Sequence, residues 1–228
     1  MNSLACRIAL LVFAALALFP AAAQADHAWD GFHWERTSAA ERTLTVAESV
    51  AANYNPAAVR AAWDAATPAL RFDLAGKKGD ITATSKRYGN NGWLGLAQIW
   101  VVGDHISRAQ VKLNDFYYDF FPDLDRNDVR QHVYCHELGH AIGLDHRANP
   151  DPSCMNEEND LSEPATTYPD PDGHDVDQLA LIYDHVDGGG GGGGGKGGPP
   201  CSKNPSHPNC HERGPITIHT YPAPGGKR

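Results

Sequence analysis

The stretch HELGHAIGLDH at positions 136–146 constrains the fold more than any other part of this 228-residue chain. His136 and His140 stand four residues apart, a spacing that puts both imidazoles on one face of a helix. Gly143 follows three residues later, and glycine accepts the left-handed backbone that ends a helix. The chain can then turn sharply and bring Asp145-His146 back under the first two rings, so that His146 becomes a third ligand. Neutral imidazole binds zinc at about 2.0–2.1 Å, and three histidines leave a fourth position open, the mark of a catalytic rather than a structural zinc site. Glu137, beside the first histidine, is placed to hydrogen-bond a metal-bound water rather than to hold the metal.

A ligand helix needs a scaffold, and the flanking pattern supplies one. Asn127 to Ile142 reads as that helix, capped by Asp125 or Asn127. Before it, Arg42–Val50 alternates like a strand, and Leu70–Leu74 and Asp80–Ser85 read as short strands. Leu94–Val102 and Ile106–Asn114 are β-like stretches separated by Gly103-Asp104. Pro56–Ala66 reads as a helix with Pro at its first position and Asn55 as cap, burying Val59, Ala62, Trp63 and Ala66. A last helix is expected from about Asp175 to His185, with Val176, Leu179, Ala180, Ile182 and Tyr183 inward. Strands ahead of the key helix and irregular chain after it make the fold class α+β.

The ends of the chain differ in composition from the middle. Arg7 precedes an apolar run from Ile8 to Phe19, and Ala23-Gln24-Ala25 supplies small residues at cleavage spacing. This is the layout of a secretory signal peptide spanning 1–25, and the run is short for a membrane span of about 20 residues. Residues 26–187 read as the globular unit, 188–198 as a flexible glycine-rich linker and 199–228 as a Pro/His-rich tail. That tail is too short and too polar to fold alone without a crosslink. Export implies a secreted protein, extracellular or periplasmic. After cleavage the cysteines are Cys135, Cys154, Cys201 and Cys210, an even number that suggests disulfides in any of three connectivities. A disulfide loop between Cys201 and Cys210 is the simple reading of the tail; a metal site on Cys201, His207, Cys210 and His211 is the alternative. The formal net charge of -9 argues against a nucleic-acid partner and against clinging to anionic membranes. No stable membrane insertion and a monomer are expected.

Two acidic runs begin like calcium sites. Asp123-Leu124-Asp125-Arg126-Asn127-Asp128 lacks the glycine and glutamate that a calcium loop needs at its sixth and twelfth positions, so helix capping is the better account. Asp170, Asp172, Asp175 and Asp177 read as a solvated turn leading into a helix. Calcium is therefore possible but unsupported.

HELGHAIGLDH resembles the zinc motif of the metzincin metalloproteases. Ser153-Cys154-Met155-Asn156 is similar to the methionine turn of that family, which gives Met155 the place beneath the metal. Tyr88–Trp100 and Val111–Asp115 resemble secreted bacterial matrixin-like peptidases, as does an Asp-Val-Asp-Gln-Leu run in the last helix. The resemblance implies a twisted, mostly parallel sheet with an antiparallel edge strand, an active-site helix and a C-terminal helix. It implies one catalytic Zn2+ on His136, His140 and His146, with Glu137 as general base, and protein or peptide substrates. It implies an extended substrate lying against Leu96, Ala97 and Gln98, and Tyr168 walling the primed-side pocket. A turn passing under the helix would bring Cys135 and Cys154 close enough to bridge. Three features depart from the family. Arg147 stands where matrixins usually carry Ser. Glu157 stands where astacin-type sites have Tyr. The ligands of the matrixin second zinc are not evident, since His105 is the only His between 34 and 131. No prodomain or cysteine-switch segment is expected between Ala25 and the domain. The expected function is a zinc endopeptidase. The rivals are a non-catalytic peptide- or zinc-binding module on a protease fold, and an interaction protein whose working part is the tail.

Overall fold

The computed structural model describes residues 27–147, 152–156, 159–187 and 212–223. The signal-peptide, linker and Cys201–Cys210 readings, with Glu157, lie outside the described residues. The strands are β1 (His33–Trp34), β2 (Arg42–Ser49), β3 (Leu70–Ala75), β4 (Ile81–Lys86), β5 (Trp93–Val102), β6 (His105–Asn114) and β7 (Arg213–Pro222). The helices are α1 (Pro56–Ala66), α2 (Asn127–His140) and α3 (Gly173–Ile182). The strands form one mixed, mostly parallel sheet in the order β3-β2-β4-β6-β5-β7, with β1 pairing β6 off that path. The class is α+β.

Alternation explains which face is core. In β5, Leu94, Ala97, Ile99 and Val101 are buried, and in β6 Ile106, Ala109, Val111 and Leu113 are. These β-branched and aliphatic residues suit a pleated surface covered on one side. Gly103, at φ 69, makes the tight turn that lets β5 return antiparallel along β6. β4 and β1 pair with β6 in parallel, and β7 pairs with β5 antiparallel. β7 is therefore the antiparallel edge, and β5 is interior. This corrects the expectation of a free edge at Leu96–Gln98. A tail too polar to fold alone needs no core of its own, because β5 offers it a ladder of backbone donors and acceptors.

The helices pack on that sheet. Trp63 of α1 is fully buried and donates its indole N–H to the Cys135 carbonyl in α2, 3.1 Å away. Val59 and Ala66 are buried as expected, whereas Ala62 is half-buried. Asn55 does not cap α1 with its side chain. Its N–H closes the preceding turn on the Ala52 carbonyl, which leaves it left-handed at φ 49. Its amide reaches across to Gln131 instead, at 2.8 Å. Neither Asp125 nor Asn127 caps α2: the cap position is Arg126, and the Asp125 carboxylate is taken by Arg130 at 2.6 Å.

The last helix begins at Gly173, earlier than expected, because Asp172 and Asp175 form a capping box there. Its inward face is Asp175, Gln178, Leu179 and Ile182. Val176 and Ala180, expected inside, face outward. Polar bonding sets this rotation: Gln178 accepts from the His27 N–H at 2.9 Å, and Asp175 accepts from the Ser153 hydroxyl at 2.5 Å.

The C-terminal carbonyls of α2 and its following turn are satisfied by aromatic donors. The Trp34 indole donates to Ala141 at 2.9 Å and the Tyr183 hydroxyl to Ile142 at 2.9 Å. Both acceptors sit in fully buried residues, where an unmade hydrogen bond costs about 1–3 kcal/mol. Tyr183→Phe should therefore lower stability by about 1–3 kcal/mol, seen as a lower urea midpoint with an unchanged slope.

Candidate metal centre

The three imidazoles of the motif converge. His136 Nε2 lies 2.9 Å from His140 Nε2 and 3.0 Å from His146 Nε2. Ligands about 2.0 Å from a tetrahedral zinc are about 3.3 Å apart, so these separations are those of a ligand set drawn slightly tight. The opposite ring nitrogens face backbone carbonyls: His136 Nδ1 lies 2.8 Å from Cys154 O, and His140 Nδ1 lies 2.8 Å from Leu144 O. A carbonyl only accepts, so each Nδ1 carries the proton and each Nε2 presents a lone pair to the centre. Burial, then the neighbouring imidazoles, hold His136 well below the ordinary histidine range, which keeps it neutral. The donor set fits a divalent metal such as zinc.

The turn that delivers His146 depends on Gly143. Its φ is +101, and a Cβ there would run into the Phe32 carbonyl. Both facts demand glycine. The Trp29 N–H donates to the Gly143 carbonyl at 2.8 Å, and the Asp145 N–H donates to the His27 carbonyl at 2.6 Å. The N-terminal segment thus clamps the turn from outside.

The floor is built from residues 153–156. Met155 is fully buried, and a Cβ on Gly139 would strike its sulfur, so the thioether packs directly on the ligand helix. Cys135 and Cys154 stand at disulfide distance, with sulfurs 2.00 Å apart. The Arg147 N–H donates to the Met155 carbonyl at 3.0 Å. Arg147, the departure from the matrixin pattern, is buried and ion-paired with Asp172 at 2.6 Å. Burial pushes the Asp172 carboxyl up, but Arg147 and the N–H groups of Asp175 and His174 outweigh it and leave it below the ordinary value. A depressed carboxyl adds stability that is present above its unfolded value, near 3.9, and is lost as pH falls through the folded value.

Glu137 is fully buried beside the triad. Burial raises its carboxyl well above the usual range, opposed by a hydrogen bond from the Tyr221 N–H. That bond reaches Oε1 at 3.3 Å, while Oε2 is buried with no hydrogen-bond partner among the described residues. A Cβ at Gly95 would strike the Glu137 side chain, so β5 approaches α2 closely only because residue 95 is glycine.

Leu96, Ala97 and Gln98 do not line an open edge. Leu96 pairs with Thr220 and Gln98 with Thr217 of β7, and the Gln98 amide donates to the Thr217 hydroxyl at 3.0 Å. Ala97 points into the core. Tyr168 is half-buried, and its carbonyl lies 2.6 Å from His132 Nδ1.

Two residues at the centre escaped the sequence reading. His132 lies one turn before His136 on the same face, its ring 6.4 Å away and near-parallel. Burial lowers it to about 4, so it is neutral at pH 7. The repeated four-residue spacing from 132 to 140 could have revealed it. Tyr221 is buried, with its ring edge-on at 5.0 Å from His136 and 5.2 Å from His132. Only the pairing of β7 with β5 brings it there.

Alkylation of denatured, unreduced protein should leave Cys135 and Cys154 unlabelled, and recovery of both as alkylated thiols would refute the bridge. Arg147→Ser should cost about 1.5–3 kcal/mol, because it removes the buried guanidinium that is hydrogen-bonded to the Asp172 carboxylate; thermal melts at pH 7 would read this. Compared with models of known protein families and with curated proteins, the sequence matches none of them.

Proposed function

We propose that this chain is an exported zinc-dependent endopeptidase of the metzincin type, closest to the matrixins. One observation carries the reading: three imidazoles bring their Nε2 atoms to one point, with the buried Glu137 carboxyl beside them. Three imidazoles leave a coordination position for water or substrate. Bound zinc would supply Lewis acidity and lower the pKa of water toward about 7.

The chain's own groups do the rest. Glu137 takes the proton of the attacking water at its free oxygen and later hands it to the leaving amine. The Cys154 and Leu144 carbonyls fix the tautomers of His136 and His140. Met155 supports the ligand helix from below.

Substrate would run antiparallel along β5, taking backbone hydrogen bonds from the edge. In the full chain β7 lies along that strand, with Tyr221 against Glu137 and His136. The tail therefore competes with substrate for the same ladder, and an occupied edge reduces apparent affinity in proportion to the fraction open.

Digestion of a diverse peptide library by residues 26–228, read by mass spectrometry, should give internal cuts that a zinc chelator abolishes. Glu137→Ala should lose about 10²–10⁴-fold in rate while still binding zinc. If it cuts as fast as the parent, the assigned base is wrong. No cuts by zinc-loaded protein, with or without the tail, would favour a non-catalytic peptide-binding module. Residues 26–187, or Tyr221→Ala in the full chain, should cut about tenfold or more faster at low substrate; equal rates would show that β7 does not compete.

A further inference from the structure

Besides the centre at His136, two groups of metal-capable side chains stand among the described residues: His27, His174, Asp175 and His33, His185, Asp187. In the first, the carboxylate is taken up by internal bonding. Asp175 Oδ1 meets His27 Nε2 at 3.1 Å, and Oδ2 accepts from the Ser153 hydroxyl at 2.5 Å and the Asp172 N–H at 2.8 Å. That carboxylate serves as a hydrogen-bond hub, and nothing about it calls for a cation.

The second group differs. We propose that His33, His185 and Asp187, with His105 at the edge of the group, form a second, zinc-class metal site that fastens the end of the domain to the sheet. It uses no residue of the His136 centre and stands whether or not that centre is catalytic.

The fold assembles the group from three places. Parallel pairing of β1 with β6 sets His33 beside His105 as register partners, with the rings edge-on at 4.9 Å. His185 and Asp187 come from the chain leaving α3. A reciprocal backbone bond holds them there: the Asp187 N–H donates to the Arg36 carbonyl at 2.7 Å, and the Arg36 N–H donates to Asp187 Oδ2 at 2.6 Å. With Oδ2 engaged, Oδ1 turns toward the imidazoles. It lies 3.3 Å from His33 Nε2, 3.2 Å from His105 Nε2 and 3.1 Å from His185 Nε2. His33 Nε2 and His185 Nε2 are 3.2 Å apart. The ligand–ligand edge of a tetrahedral zinc site is about 3.3 Å, and these four separations cluster at that value.

Proton positions make the case for a cation. His33 Nδ1 lies 2.8 Å from the Gly31 carbonyl, which can only accept. Its proton is therefore on Nδ1, and Nε2 is a lone pair. The His33 lone pair thus faces the Asp187 carboxylate oxygen at 3.3 Å and His185 Nε2 at 3.2 Å. A cation at their centre would answer that lone pair and the carboxylate together, and the outward Nδ1 contact with the Gly31 carbonyl is the outer-shell partner that zinc-ligating histidines keep. Imidazole and carboxylate ligands suit zinc among the common divalent ions. The three ligands come from two segments far apart in the chain, so a bound ion would tie those segments together. His33 and Asp187 side chains are 6% and 9% exposed, whereas His105 and His185 are 31% and 37% exposed, so the ion can enter from solvent.

The test is zinc content and zinc-dependent melting of residues 26–228, stripped with a chelator, reloaded with zinc and desalted. About two zinc ions per chain are expected, and about one in His140→Gln, whose Tm should still rise on reloading. In that background Asp187→Asn should abolish the remaining zinc and the Tm rise. His105→Gln, a change at a partly exposed turn that spares the core, should weaken zinc binding about tenfold or more. The proposal is overturned if the reloaded parent holds a single zinc that His140→Gln removes, or if Asp187→Asn and His105→Gln leave the remaining zinc and the Tm rise unchanged. A single zinc that survives His140→Gln and is lost with Asp187→Asn would uphold this site and count against the centre at His136.

Discussion

The structure depends on one polar helix held in an apolar core. Residues 132–140 of α2 are all buried, and they include three imidazoles and a carboxylate. Burying such groups unpaired costs several kcal/mol, so the surroundings must answer each one. Carbonyls of Tyr168, Cys154 and Leu144 meet the outward nitrogens of His132, His136 and His140. Trp63, Trp34 and Tyr183 satisfy the helix backbone around them. The Nε2 atoms of His136, His140 and His146 are turned to one point, and one oxygen of Glu137 is buried beside them with no hydrogen-bond partner among the described residues.

Close approach is the second theme. Gly95, Gly139 and Gly143 each stand where a Cβ would collide, with Glu137, Met155 and the Phe32 carbonyl respectively. The first lets the sheet touch the carboxylate, the second lets the floor touch the ligand helix, and the third lets the chain turn back under the metal position. Arg147 then ties that turn to the start of α3 through Asp172. Rigid support of this kind holds the three imidazoles and the Glu137 carboxyl in fixed positions.

The tail adds a strand to the sheet and buries Tyr221 and Ala223 in the core. β7 extends the sheet by one strand and sets Tyr221 over the triad. An edge strand left bare invites pairing with other chains. Here it is covered from within the molecule, by a segment tethered through a glycine-rich stretch. The opposite anchor lies at His33, His105, His185 and Asp187, where the domain ends and that stretch begins.

The local parts of this protein were legible in its sequence. The spacing of His136, His140 and His146 with Gly143 specified that three imidazoles converge, because helical periodicity and one left-handed residue leave little freedom. Alternation located most strands to within a residue or two. The rest required tertiary structure, for a physical reason in each case. Asn55 and Asp125 are good caps in isolation, but Gln131 and Arg130 from α2 claim their side chains. The inward face of α3 is set by bonds to His27 and Ser153, which no periodicity encodes. The His33–His105–His185–Asp187 cluster joins residues up to 154 positions apart, and the polar tail becomes a strand only because β5 presents unpaired backbone to it. Sequence determined the chemistry that each segment could offer. Long-range pairing decided which segments meet, since contacts distant along the chain leave no period to read.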